Sequence, residues 1–142
     1  MAAHDAHLDH LAEVSLFSAC TRKDLEKIAR ASDEIDVQAG RALVEEGHIG
    51  HEFFLILEGK GTVSRGGEKV AQLGPGQYFG ELALLYKGPR NATVIADTDM
   101  KLLVLGQREF LGVLDEVPGL AYKLLRTMAV RLRDADLQNV GH

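Results

Sequence analysis

The chain has 142 residues, 46% of them hydrophobic and 26% charged, with 15 glycines, 3 prolines and a single cysteine. That is the balance of one folded domain with an ample core, and it excludes a disordered, collagen-like or disulfide-framed chain. Sixteen Lys plus Arg against 21 Asp plus Glu leave a formal net charge of −5, so no broad basic face for nucleic acid or anionic lipid is expected and an anionic ligand has to be held locally.

The N-terminus, Ala2-Ala3-His4-Asp5, lacks the basic and apolar regions of a signal peptide, and the apolar runs, such as Phe53 to Leu57 and Leu102 to Leu105, are too short to cross a bilayer. A cytoplasmic protein without membrane contact is expected. From Leu8 to Phe17 the residues Leu8, Leu11, Ala12, Ser15 and Leu16 recur at three- and four-residue steps, which predicts one helix face. Thr21 with Asp24 three positions on predicts a capped second helix whose buried stripe is Leu25, Ile28 and Ala29. These N-terminal helices are expected over residues 6–31. Ile35 and Val37 then alternate against Asp36 and Gln38, and strands follow at Arg41 to Glu45, Glu52 to Leu57, Gly61 to Arg65, Lys69 to Leu73, Asn91 to Ala96 and Met100 to Leu105. Turns are expected at Gly47 to Gly50, Gly59-Lys60, Gly74-Pro75-Gly76 and Asp97-Thr98-Asp99, with Gly66-Gly67 a two-residue hairpin. Short strands at this spacing, with no helix between most of them, predict a β-barrel or jelly roll over residues 34–105 rather than a parallel α/β sheet.

Phe110, Leu111 and Leu114 predict a short helix from Gln107 to Leu114, and Pro118 opens a longer one to about Gln138. The C-terminal helices thus cover residues 107–138, and the whole of residues 1–142 reads as a single mainly β domain with flanking helices. In the long helix Ala121, Leu125, Met128, Leu132 and Ala135 step by four and three residues, two heptads of an a/d seam, while Leu120 and Leu124 lie on another face. One face is expected on the barrel. The other is either partly exposed or pairs with a second copy in a homodimer, and two heptads are short enough that a dimer needs further contacts.

The segment between the two groups of strands carries the chemistry. It reads Gly76-Gln77-Tyr78-Phe79-Gly80-Glu81-Leu82-Ala83-Leu84-Leu85, then Tyr86-Lys87-Gly88-Pro89, then Arg90-Asn91-Ala92-Thr93-Val94. Glu81 to Leu85 is expected to be about one helical turn entered through Gly80, with the amides of Glu81, Leu82 and Ala83 unsatisfied at its N-terminus, an anion site. Gly80 admits close backbone approach, and the planar fork of Arg90 suits a phosphate. Glu81 would repel that phosphate unless it accepts a hydrogen bond from a hydroxyl of the same ligand, as a ribose 2′-hydroxyl offers. A surface helix turn with a favourable Gly-Glu start and an Arg90 salt bridge explains the same residues equally well.

Phe79-Gly80-Glu81-Leu82-Ala83-Leu84 followed by Pro89-Arg90-Asn91-Ala92-Thr93-Val94 closely resembles the phosphate-binding cassette of cyclic-nucleotide-binding domains. Leu16-Phe17, Glu46-Gly47, Phe53-Phe54-Leu55-Ile56, Gly59, Val63 and Met100-Lys101-Leu102-Leu103-Val104-Leu105 are also similar to that family, so the resemblance runs from about Leu11 to Leu137. It implies a non-catalytic sensor in which Glu81 holds the ribose 2′-hydroxyl and Arg90 the cyclic phosphate. Gly80, Leu82 and Ala83 would contribute backbone contacts, with Asn91 and Ala92 completing the ligand-binding set. Asn91 stands where the family usually has Ala, Ser or Thr; threonine there resembles a guanine-favouring device, so Asn91 leaves the choice between cyclic AMP and cyclic GMP open, with cyclic AMP the expected ligand ahead of cyclic GMP. Val70, Leu73 and Val94 are expected pocket contacts by alternation, and Arg126, Arg133, Ala135 and Asp136 are candidates for a lid on the long helix.

Rival chemistries have weaker signals. His48 and His51 beside Glu52 invite a cupin-like metal enzyme, yet two residues separate the histidines where that pattern has one, and a solvated turn is expected instead. His4, His7 and His10 repeat every three residues on a terminal helix expected to fray. Cys20 is expected to be a small buried residue at the first helix turn, and no metal, cofactor or catalytic triad is expected. Receptor-type regulators of the family continue into a helix-turn-helix module, for which only Asn139 to His142 remain, so direct DNA binding is not expected. A sensor that alters an unidentified protein partner is the expected function, and a ligand-independent interaction module with the same fold is the alternative.

Overall fold

The computed structural model describes residues 2–140, with side chains from residue 7 to residue 136. Expectations on His4 and on the side chains after Asp136 lie outside this range. Helix α1 (Ala2–Ala12) buries Leu8 and Leu11. It does not run on to Phe17. The amides of Glu13 and Val14 donate back to His10 and Leu11, Val14 is extended, and a separate 3₁₀ turn follows at Ser15–Phe17. The predicted single face is therefore wrong at Ala12, which is exposed, and at Ser15, which is half-buried. Breaking the helix lets Val14, Leu16 and Phe17 all turn inward, although positions 14 and 16 fall on nearly opposite sides of a continuous helix. The turn is tied to the sheet by the Ser15 amide, which donates to the Tyr78 hydroxyl at 3.2 Å.

Helix α2 (Arg22–Arg30) opens with the predicted capping box. The Asp24 amide donates to Thr21 Oγ1 at 3.1 Å and the Thr21 amide to Asp24 Oδ2 at 2.9 Å, while Leu25, Ile28 and Ala29 are buried. Cys20, just before the cap, is only half-buried, and its thiol is pushed up to about 11 by burial and then by the charge of Asp24, with Lys123 opposing.

Among the described residues ten strands follow: β1 (Asp33–Val37), β2 (Ala42–Val44), β3 (Ile49–Gly50), β4 (Glu52–Glu58), β5 (Gly61–Arg65), β6 (Glu68–Leu73), β7 (Tyr78–Phe79), β8 (Gly88–Pro89), β9 (Thr93–Ala96) and β10 (Met100–Gly106). They form two antiparallel four-stranded sheets, ordered β1-β10-β4-β7 and β2-β9-β5-β6, and a small β3-β8 pair, the expected jelly roll. Strands β4 and β10 are apolar on both faces because both are covered. Phe53, Leu55, Leu103 and Leu105 join the helices, whereas Phe54, Ile56 and Leu102 pack with Val37, Ala96 and Met100 in a second core. Gly66 and Gly67, at φ +59° and +82°, make the predicted hairpin, since a two-residue turn of this hand needs positive φ at both positions. The segments expected as strands at Arg41 to Glu45 and Asn91 to Ala96 are shorter than predicted.

Helix α3 (Gln107–Glu116) is followed by Pro118-Gly119, with Gly119 at φ +82°, and by α4 (Leu120–Val140). Leu120 and Leu124 seat α4 on the N-terminal helices, and the Lys123 ammonium meets Asp24 Oδ2 at 2.6 Å. The seam residues Leu125 and Leu132 are 69% and 66% exposed, and Met128 is half-buried against the core.

Candidate functional site

A cavity of about 430 Å³ opens between the cassette and the inner face of the β2-β9-β5-β6 sheet. One side is the segment after β7. Gly80 adopts φ +80° and leads into a 3₁₀ turn over Glu81–Leu84, tighter than the helical turn expected. This corrects the expected set of free amides, because the Ala83 amide donates to the Gly80 carbonyl at 3.0 Å. Ala83 and Leu84 are buried, and Leu84 anchors the turn in the core shared with the helices. Leu82 is 51% exposed.

Arg90 enters from the strand pair β3-β8. Its amide donates to the His48 carbonyl and its carbonyl accepts from the Gly47 amide, both at 2.8 Å. The guanidinium Nη2 donates to the Glu52 carbonyl at 2.9 Å, and Cζ lies 5.9 Å from the Phe54 ring centroid. Phe54 in turn stacks on Phe79, centroids 4.8 Å apart. Two glycines make room for this cation. A Cβ at Gly50 would collide with Arg90 Nε, and one at Gly80 would stand 2.7 Å from Nη1 and 2.8 Å from the Glu52 carbonyl. Burial lowers the guanidinium pKa and the charge of Glu52 opposes that shift, but an arginine remains protonated in any protein setting.

Gly80, Glu81, Leu82, Ala83, Arg90, Asn91 and Ala92 all line this cavity, as do Leu73 and Val94. Val70 does not. Its neighbours Lys69 and Ala71 pair with Ser64 and Val63 in succession, so Val70 is the extra residue of a bulge and stands 52% exposed. Alternation by itself also sets Val70 on the face opposite Leu73, since the two differ by an odd number of positions. Arg126, Arg133, Ala135 and Asp136, on α4, are not among the lining residues. Gly50, the Glu52 carbonyl and Phe54 are absent from the sequence reading of the site. Their contribution is long-range packing around Arg90, for which only the small residue at Gly50 leaves any trace in the sequence. Val44, Val63, Arg65 and Tyr86 also line the cavity. Arg65 Nε donates to the Asn91 carbonyl at 3.0 Å.

His48 pairs with Glu45 at 3.2 Å on the surface. Among the described residues no group of three or more His, Cys, Asp or Glu side chains is arranged to hold a metal ion, and no helix is long and apolar enough to cross a membrane.

The family model of the cyclic nucleotide-binding domain matches residues 34–117, which hold the whole cassette and, save Asp33, both sheets. The chain belongs to the cyclic nucleotide-binding domain family. It is 38% identical over 110 residues to a cAMP-dependent protein kinase regulatory subunit of Hypocrea atroviridis, covering 78% of this chain and 24% of that protein. It is 36% identical over 104 residues to the cyclic AMP receptor protein of Thermus thermophilus, covering 70% and 48%. This cyclic nucleotide-binding domain therefore spans about a quarter of the kinase subunit and about half of the receptor protein. Among solved structures, the N-terminal domain of a transcriptional regulator from Streptomyces coelicolor A3(2) superposes with a TM-score of 0.84 at 33% identity, covering 89% of this chain and 94% of that one. The Thermus thermophilus catabolite activator protein gives 0.69 at 31% identity, covering 87% and 61%.

Proposed function

We propose that the domain is a non-catalytic sensor that binds cyclic AMP, with cyclic GMP less favoured, and passes the bound state to a protein partner through α4. The observation that carries this reading is Arg90. Its guanidinium is held by the Glu52 carbonyl at the cavity that the Glu81 turn also lines, where its planar fork suits a phosphate. In this mode Arg90 pairs the cyclic phosphate, Glu81 accepts from the ribose 2′-hydroxyl, and Gly80, Leu82, Ala83, Asn91 and Ala92 complete the cradle. Leu73 and Val94 give the purine an apolar wall. Asn91 in place of threonine, together with relatives named for cyclic AMP, supports adenine as the preferred base.

The domain works as one unit, with N-terminal helices over residues 6–31, the β-barrel over 34–105 and C-terminal helices over 107–138. The reading requires no cofactor, no direct contact with nucleic acid and no membrane, and puts the domain in the cytoplasm. Response to the ligand is a population shift: the hinge near Gln107 to Leu114 moves and α4 brings Arg126, Arg133, Ala135 or Asp136 over the base. The exposed seam of α4 also suits a second copy in a homodimer.

Calorimetric titration of cyclic AMP and cyclic GMP into the wild type and into Arg90→Ala tests the core of this reading. Saturable binding is expected, weakened by Arg90→Ala about 30-fold to several thousand-fold, because a buried phosphate then lacks its charge partner. Silence from both nucleotides with a folded wild type would leave the ligand-independent interaction module as the function.

A further inference from the structure

Three charged side chains line the cavity, and the binding mode proposed above uses two of them, Glu81 and Arg90. The third is Arg65, at the end of β5. Val63 and Arg65 are two positions apart on one strand and so share a face. Val63 pairs with Val94 across the β5-β9 ladder and Ser64 with Thr93, which brings Arg65 to the height of Ala92 and Asn91. There Arg65 Nε is held by the Asn91 carbonyl at 3.0 Å, so the guanidinium is fixed at the cavity wall despite its exposure. The rim beneath it is braced as well, since the Glu46 amide donates to Thr93 Oγ1 and the Gly66 amide to Glu46 Oε1, each at 2.9 Å.

With phosphate and ribose at the Arg90 and Glu81 end, the β2-β9-β5-β6 sheet offers the base a wall of Val44, Val63, Leu73 and Val94, to which Arg65 adds the one charge. We propose that Arg65 is a base-contacting residue that tilts this site's purine preference toward guanine and so narrows its preference for cyclic AMP. The chemistry is one-sided. A guanidinium has five N–H donors and no acceptor, and one donor is taken by Asn91. Guanine presents two adjacent acceptors, N7 and O6, to such a fork. Adenine presents N7 beside its own N6 amino donor, which faces the guanidinium donor to donor.

The inference rests on the proposed binding mode, and its test separates the two. Dissociation constants for cyclic AMP and cyclic GMP are measured by calorimetry for the wild type, Arg65→Ala and Arg65→Lys, with thermal melts to confirm folding. Arg65→Ala is expected to weaken cyclic GMP roughly 5- to 100-fold more than cyclic AMP. Arg65→Lys is expected to resemble Arg65→Ala, because it keeps the charge and loses the planar fork. An equal loss for both nucleotides would reduce Arg65 to a prop for the Asn91 backbone and overturn the inference. So would no change, a larger loss for cyclic AMP, or full rescue by lysine. A folded wild type that binds neither nucleotide would overturn the binding mode itself, and the inference with it.

Discussion

The cation at the centre of the site is only as good as the space around it, and that space is made by two glycines of different kinds. Gly50 lies in β3 without a positive φ, so its backbone accepts any side chain, and what a Cβ would strike is the Arg90 side chain. Gly80 sits at φ +80°, and its Cβ would strike the Glu52 carbonyl, which cannot move aside. The two alanine substitutions therefore separate binding from folding. Gly50→Ala is expected to leave the urea midpoint close to wild type while weakening cyclic nucleotide about 10- to 100-fold, as Arg90 is driven off the Glu52 carbonyl. Gly80→Ala is expected to destabilise the fold by about 1–3 kcal/mol, from the left-handed backbone and the backbone clash together. Urea denaturation alongside nucleotide titration reads both. A Gly50→Ala protein that binds as tightly as wild type would show that the position of Arg90 tolerates displacement.

At the scale of elements, α4 is tied to α2 by the Lys123–Asp24 pair, while Leu120 and Leu124 bury it in the core shared with the N-terminal helices. Burial raises the Asp24 pKa, but the hydrogen bond from Lys123, those from Thr21 and the Lys123 charge outweigh it and hold the carboxyl below its ordinary 3.8. A carboxylate with a depressed folded pKa contributes stability that is complete above the unfolded value and is lost as pH falls through the folded one. Lys123→Met is thus expected to cost about 1–3 kcal/mol at pH 7, with the gap to wild type closing below about pH 4, in urea titrations across that range. A gap that persists unchanged into acid would mean that packing of the lysine stem, not the ion pair, carries the effect. The same helix marks how far a sequence can be read. The Thr21-Asp24 capping box is legible because its partners are three residues apart, and the Gly66-Gly67 hairpin because its backbone demand is local. Asp24 with Lys123 is not, because 99 residues separate them. The two-residue strands β3, β7 and β8 escape for the same reason: each exists only through its partner strand.

Across the whole molecule, the cassette was legible as a run of residue types, and every cassette residue inferred from it lines one cavity. The bulge at Val70 was not, since it belongs to the register between two strands rather than to either of them. The position of α4 lies further still from sequence. One face of the helix is committed to the core, while Tyr122, Leu125 and Leu132 on its other side are 68%, 69% and 66% exposed. An exposed apolar face on α4 has two competing uses, covering a bound base and pairing with a second copy, and hydrogen exchange distinguishes them by what the protection depends on. In dilute protein, saturating cyclic AMP is expected to slow exchange both in residues 80–92 and in residues 118–136, because the population-shift mechanism requires α4 to make contacts in the bound state that it lacks in the free one. Slowing that tracks protein concentration in the absence of nucleotide would assign the face to a dimer. Slowing confined to residues 80–92 would mean that the nucleotide is captured without moving α4, and a signal would then have to leave the domain from the cassette itself.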